Sequence, residues 1–205
     1  MTLEGSHLSK AFNRRVIFRD VSFAINKGET LLVTGRNGSG KSTLLRILAH
    51  VLTPSEGSVR LLSAGQNVKT PARDMVGFVS PYLNLYDEFS ARENLQFALA
   101  LRGMPRGERS IDRLLDRVSL GSFKETPVRV FSSGMKQRLK YAFALIHDPL
   151  LLLLDEPMAN LDQEGREFVQ GVMEERRQER LLVVATNDTS EVARSHVRVS
   201  IDEHH

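Results

Sequence analysis

The sequence contains no cysteine, which excludes disulfides, thiolate metal sites and cysteine nucleophiles together. No stretch approaches the roughly 18 uninterrupted apolar residues that a membrane-spanning helix requires. The opening residues, Met1-Thr2-Leu3-Glu4-Gly5-Ser6, lack a basic stretch followed by an apolar one. No secretory signal is read, and the chain is expected in the cytoplasm. A strong excess of one charge is also missing: 28 Lys and Arg face 25 Asp and Glu, a formal +3, although the isoelectric point is near 9.4. The two signs are interleaved, which makes a mixed solvated surface and argues against a nucleic-acid partner. What is present is ordinary for a globular chain. Its 205 residues, 41% hydrophobic and 26% charged, can bury a core without covalent staples.

Apolar runs of strand length alternate with longer helical patterns, which predicts an α/β fold with a mostly parallel sheet. Strands are expected near Leu3–Leu8, Val21–Asn26, Thr30–Thr34, Val59–Leu62, Val76–Val79, Leu150–Leu154, Leu181–Thr186 and Val197–Ile201. The runs Leu150–Leu154 and Leu181–Ala185 are continuously apolar, as in strands covered on both faces. Several early strands precede any long helix, so an antiparallel β portion is expected near the N-terminus. From Ser90 to about Val118 strand signals stop. Ser90 and Glu93 have capping-box spacing ahead of Leu95, Phe97, Ala98 and Leu99. After a break between Gly103 and Gly107, Ile111, Leu114, Leu115 and Val118 mark a second helix. The expected organisation is one domain over residues 1–205. Residues 1–80 and 148–205 form its α/β core, and a helical insert occupies about 81–147.

Gly35-Arg36-Asn37-Gly38-Ser39-Gly40-Lys41-Ser42 matches G-x-x-x-x-G-K-[ST] without a gap. Glycines let successive backbone N–H groups turn inward as an anion nest, and the helix expected over Thr43–Val51 adds its positive dipole end. Lys41 brings a full charge to the outer phosphates, and the Ser42 hydroxyl can ligate Mg²⁺. The candidate nucleotide site is thus Gly35, Arg36, Asn37, Gly38, Ser39, Gly40, Lys41, Ser42 and Thr43. Further on, Leu150–Leu154 runs into Asp155-Glu156-Pro157. A buried strand can carry a carboxylate to its C-terminal edge, where α/β sheets bind ligands. Asp155 would hold Mg²⁺ directly or through water, and Glu156 would orient or deprotonate an attacking water.

Between these motifs lies Phe131-Ser132-Ser133-Gly134-Met135-Lys136-Gln137-Arg138. Ser132 or Ser133 can cap a helix whose apolar face is Met135, Leu139, Ala142, Phe143 and Ile146. The order is phosphate loop, helical insert, serine–glycine cap, acidic strand and then Asn160-Leu161-Asp162. It resembles the ATP-binding cassette ATPases, the nucleotide-binding subunits of ABC transporters, over nearly the whole chain. The resemblance implies that Gly35–Ser42 is Walker A, that Asp155 ends Walker B and that Glu156 is the catalytic glutamate. It implies that Ser132, Ser133 and Gly134 belong to the signature sequence, that Ala159–Asp162 is the D-loop and that Phe12 stacks on adenine. It also implies ATP and Mg²⁺ as cofactors. The subunit would pair head to tail with a second copy or a second ATPase subunit, and would dock on an integral membrane transport subunit at the inner face of the cell membrane.

Three positions depart from the family pattern. Met135 stands where the signature ends in Gln, and Ser80-Pro81 stands where a Q-loop glutamine would follow Val79. Asn187-Asp188 stands where the switch histidine would follow Leu181–Thr186. Asn187 is therefore the candidate γ-phosphate donor in the histidine's place. The segment Pro81–Tyr86, with Tyr82 and Tyr86, is expected to line a groove for a short helix of the membrane subunit. Compact size, Leu85–Asn94 and Ser-Ser-Gly-Met look similar to the small haem-exporter subunits of cytochrome c maturation. The alternative class is a soluble or regulatory ATPase of the same type, not coupled to transport.

Overall fold

A computed structural model describes residues 1–68, 72–105, 107–159, 161–188 and 195–204. Arg106 of the expected break and Asn160 of the expected D-loop lie outside the described residues. In chain order the strands are β1 (Thr2–Phe12), β2 (Arg15–Asn26), β3 (Thr30–Thr34), β4 (Glu56–Ser63), β5 (Gln66–Asn67), β6 (Val76–Val79), β7 (Leu151–Asp155), β8 (Leu181–Ala185) and β9 (Val197–Ser200). The helices are α1 (Lys41–Leu48), α2 (Ala72–Met75), α3 (Ala91–Ala100), α4 (Glu108–Arg117), α5 (Ser133–Leu145) and α6 (Gln163–Glu179). One sheet is antiparallel, in the order β2-β1-β4-β5; the other is parallel, in the order β6-β7-β8-β3-β9. The α/β fold, the N-terminal antiparallel part and the helical insert are all present as expected.

Every residue of β3, β7 and β8 is buried. Successive side chains on a strand point to opposite faces, so these runs feed two cores. Leu151 and Leu153 join Leu8, Phe18, Leu44 and Leu48 between the parallel sheet, α1 and the antiparallel sheet. Leu152 and Leu154 join Tyr141, Leu145, Val169 and Val172 under α5 and α6. Each such leucine stabilises the fold by about 1.5–3 kcal/mol through burial. Leu95, Leu99, Ile111, Leu115 and Leu139 form a third cluster among α3, α4 and α5. Ser90 caps α3 reciprocally: Glu93 N–H donates to Ser90 Oγ at 3.2 Å, and Ser90 N–H donates to Glu93 Oε2 at 2.7 Å.

Some boundaries differ from the sequence reading for local reasons. β1 and β2 run longer than Leu3–Leu8 and Val21–Asn26 because Asn13 and Arg14 join them in a two-residue turn. Both residues have positive φ, 47° and 68°, the conformation a tight hairpin needs, although no glycine announces it. β5 and α2 have two and four residues, too few to show a period. β7 begins and ends one residue later than read, so Asp155 itself closes the ladder opposite Ala185.

Candidate functional site

Parallel pairing brings the chemistry to one edge. Val33 and Asp155 both pair with Ala185, so the ends of β3, β8 and β7 lie in one row. Just beyond that row, Thr186 N–H donates to Val33 O at 3.1 Å and Glu156 N–H donates to Ala185 O at 2.8 Å. The loop after β3, the turn after β8 and the carboxylates after β7 are neighbours by construction.

The loop Gly35–Gly40 leads into α1, whose first residue is Lys41. Gly40 sits at φ +114°, and a Cβ there would meet Ile17 Cγ2 of β2 at 2.5 Å, so only glycine fits. No side chain caps α1, which leaves its first N–H groups to bind an anion. The buried Lys41 Nζ arches back over the loop, donating to Gly35 O at 2.8 Å and Arg36 O at 3.3 Å. It also pairs with Glu156 Oε1 at 3.1 Å. Glu156 has φ +48°, a strained conformation for a side chain of its size, and such strain is characteristic of functional turns.

Asp155 is 2% exposed, and both of its oxygens are buried without a hydrogen-bond partner among the described residues. Burial pushes its carboxyl up; the Ser42 hydroxyl pulls it down, and the Glu156 charge pushes up again. A buried, orphaned carboxylate beside a hydroxyl is a fit for a hard cation. Mg²⁺ takes one or two protein oxygens and completes its shell with waters and phosphate oxygens. Ser42 and Asp155 could hold it.

Asn187 follows β8 in a turn where Asp188 N–H donates to Thr186 Oγ1 at 3.1 Å. Its Nδ2 donates to Asn37 Oδ1 at 3.3 Å, so the structure brings Asn187 onto the phosphate loop. Ser132 is the N-cap of α5, its Oγ accepting from Met135 N–H at 3.3 Å. Ser133 and Gly134 line a cleft of about 580 Å³ together with Pro81, Lys140, Asp155 and Glu156. Phe12 lies apart from that cleft, 45% exposed at the end of β1, with Lys10 Nζ 4.8 Å from its ring centroid.

The departures from the family pattern have physical settings. Met135 packs half-buried against the α3–α5 cluster, where a thioether is at home. Ser80 is buried, and its Oγ accepts from Tyr82 N–H at 3.1 Å, while Pro81 O accepts from Lys140 Nζ at 3.3 Å. Tyr82 and Tyr86 are exposed. The Tyr82 ring lies 5.1 Å from the Arg46 guanidinium, and Tyr86 packs on Phe89 and Phe97 at 5.2 and 4.8 Å.

Sequence reasoning missed two groups that hold the loop. Asp202 Oδ2 accepts from Arg36 N–H at 3.0 Å, and Arg198 Nε donates to Thr34 Oγ1 at 3.3 Å. Both come from the β9 end of the chain, which reaches the loop because β9 pairs with β3. No local sequence signal marks them.

Residues 18–159 match the ABC transporter family model. The chain is 33% identical over 191 residues to the lantibiotic transport ATP-binding protein SrtF of Streptococcus pyogenes, covering 93% of this chain and 82% of that protein. It is 37% identical over 175 residues to the Nod factor export ATP-binding protein I of Sinorhizobium fredii, covering 82% of this chain but only 50% of that relative. A dimeric ATP-binding cassette in a post-hydrolysis state, bound to ADP and Pi, superposes with a TM-score of 0.83 at 25% identity over 97% of this chain and 93% of that one. The names of these relatives give no support to the haem-exporter likeness. Among the described residues no helix is long and apolar enough to cross a membrane. Fold, motif order and family match agree, and the chain belongs to the ABC transporter family.

Proposed function

We propose that this chain is the ATP-binding and ATP-hydrolysing subunit of an ABC export system, peripheral on the inner face of the membrane and coupled to a separate membrane subunit. The observation that carries this is the single row joining the Gly35–Lys41 loop, Asp155-Glu156 and Asn187 on three adjacent strands, with Lys41 and Glu156 in contact. Export is supported by the relatives named for Nod factor and lantibiotic transport.

The roles follow from the chemistry. Backbone N–H groups of Gly38–Thr43 cradle the β- and γ-phosphates, and Lys41 leaves the loop carbonyls to meet them. Ser42 and Asp155 would hold Mg²⁺, which would neutralise charge on the transferring phosphoryl group. Glu156, aimed by its strained turn, orients the attacking water and takes its proton. Asn187 donates its amide N–H to the γ-phosphate, and the exposed Phe12 ring stacks on adenine. Ser132, Ser133 and Gly134 at the N-terminal end of α5 close over the nucleotide of a second, head-to-tail subunit. Residues 81–147 act as the helical subdomain, with Tyr82 and Tyr86 on its docking side.

Phosphate release from ATP, measured with Mg²⁺ and again with EDTA, tests the proposal. Metal-dependent release is expected. No nucleotide binding at millimolar ATP would overturn it.

A further inference from the structure

The charged side chains that line the 580 Å³ cleft are Asp87, Lys136, Lys140, Asp155 and Glu156. Most are spoken for. Asp87 pairs with Lys136 at 2.8 Å and Glu156 with Lys41 at 3.1 Å. Among the described residues Asp155 and Lys140 have no ion-pair partner. One is an anion that the Lys41 and Arg46 charges act on without a direct ion pair, and the other is a cation whose neighbouring charge is the cation Lys136. Lys140 projects from α5, and of its three N–H groups one reaches Pro81 O at 3.3 Å. Burial, with the neighbouring Lys136 charge, pulls its pKa down, so an anion in this cleft would be doubly welcome to it.

A ligand suited to both groups has a divalent cation at one end and an anionic oxygen at the other. We propose that Lys140 is a second phosphate-binding cation. It would reach from the helical region to the terminal phosphate of the nucleotide whose metal Asp155 holds, and so favour ATP over ADP. Its bond to Pro81 O ties this contact to the end of β6, so α5 and the segment entering the helical region register the terminal phosphate together. The proposal rests on Gly35–Thr43 binding ATP. The alternative is that Lys140 only props the Pro81 turn, in which case its loss would lower stability and leave the choice between nucleotides unchanged.

The affinities of full-length wild type, Lys140→Met and Lys140→Arg for ADP and for the non-hydrolysable β,γ-imido analogue of ATP, both with Mg²⁺, test this. Losing one charge-assisted phosphate contact should weaken analogue binding about tenfold. ADP affinity should stay within about twofold, and Lys140→Arg should recover most of the loss. Should Lys140→Met melt well below wild type, Lys140→Gln, with a polar end for the Pro81 carbonyl, supplies the same comparison. Equal affinities in all three proteins, or equal losses for both nucleotides, would overturn the role of Lys140 alone. Failure of wild type to bind either nucleotide, with Lys41→Ala no different, would overturn the nucleotide site itself.

Discussion

The candidate site has two walls that are built differently. Around Gly35–Thr43, position is set by backbone: a parallel ladder, a left-handed glycine pressed against β2, and an uncapped helix start. The other wall, along the cleft from Ser80 to Lys140, is held by side chains: the Ser80 hydroxyl, the Lys140 ammonium and the Asp87–Lys136 pair. Backbone-built geometry tolerates little exchange, since any side chain at Gly40 strikes Ile17. Side-chain geometry can be rebuilt from other residues.

The largest effects are expected at Glu156 and Lys41, which pair at 3.1 Å. Glu156→Gln keeps the shape but removes the base, and should cut phosphate release by about 10²–10⁴-fold with nucleotide affinity nearly unchanged. Lys41→Ala removes a buried charge from the phosphates. Equilibrium titration should show affinity falling by roughly 10–100-fold, the worth of one charged hydrogen bond.

Beside the loop, Asn187 offers a neutral donor worth about 1 kcal/mol. Asn187→Ala should slow steady-state turnover about fivefold and leave ADP affinity alone, and Asn187→His should retain or raise activity. Equal rates for wild type and Asn187→Ala would reduce this residue to a turn.

An effect on stability lies away from both walls. His147 is buried with Nε2 3.2 Å from Val76 O. Burial, then the Arg102 charge, lowers its pKa from 6.5 to about 4. The folded chain therefore resists a proton that the unfolded chain accepts. Stability present above about pH 6.5 should be lost as pH falls toward 4, by an amount on the order of 1–3 kcal/mol. Denaturant titrations across that window should show a flatter acid limb for His147→Gln.

What the sequence displays is what lies in consecutive residues. The phosphate loop, Asp155-Glu156 and the Ser90–Glu93 cap are each a short string whose chemistry needs that spacing. The contacts that complete the site join distant residues: Arg36 with Asp202 across 166 positions, Thr34 with Arg198 across 164 and Pro81 with Lys140 across 59. They exist only because β9 lies beside β3 and α5 lies over β6. Asn13–Arg14 was hidden for another reason: its turn is carried by backbone angles that these residues adopt without advertising them.

The most direct test of the difference between the walls restores the family pattern at all three altered positions. In one variant, Pro81→Gln, Met135→Gln and Asn187→His are combined. ADP affinity and ATP turnover are then measured beside wild type. If binding belongs to the backbone-built wall, ADP affinity will stay within about twofold while turnover shifts several-fold, since each change adds or charges one hydrogen bond. A tenfold change in ADP affinity with turnover unmoved would contradict the account.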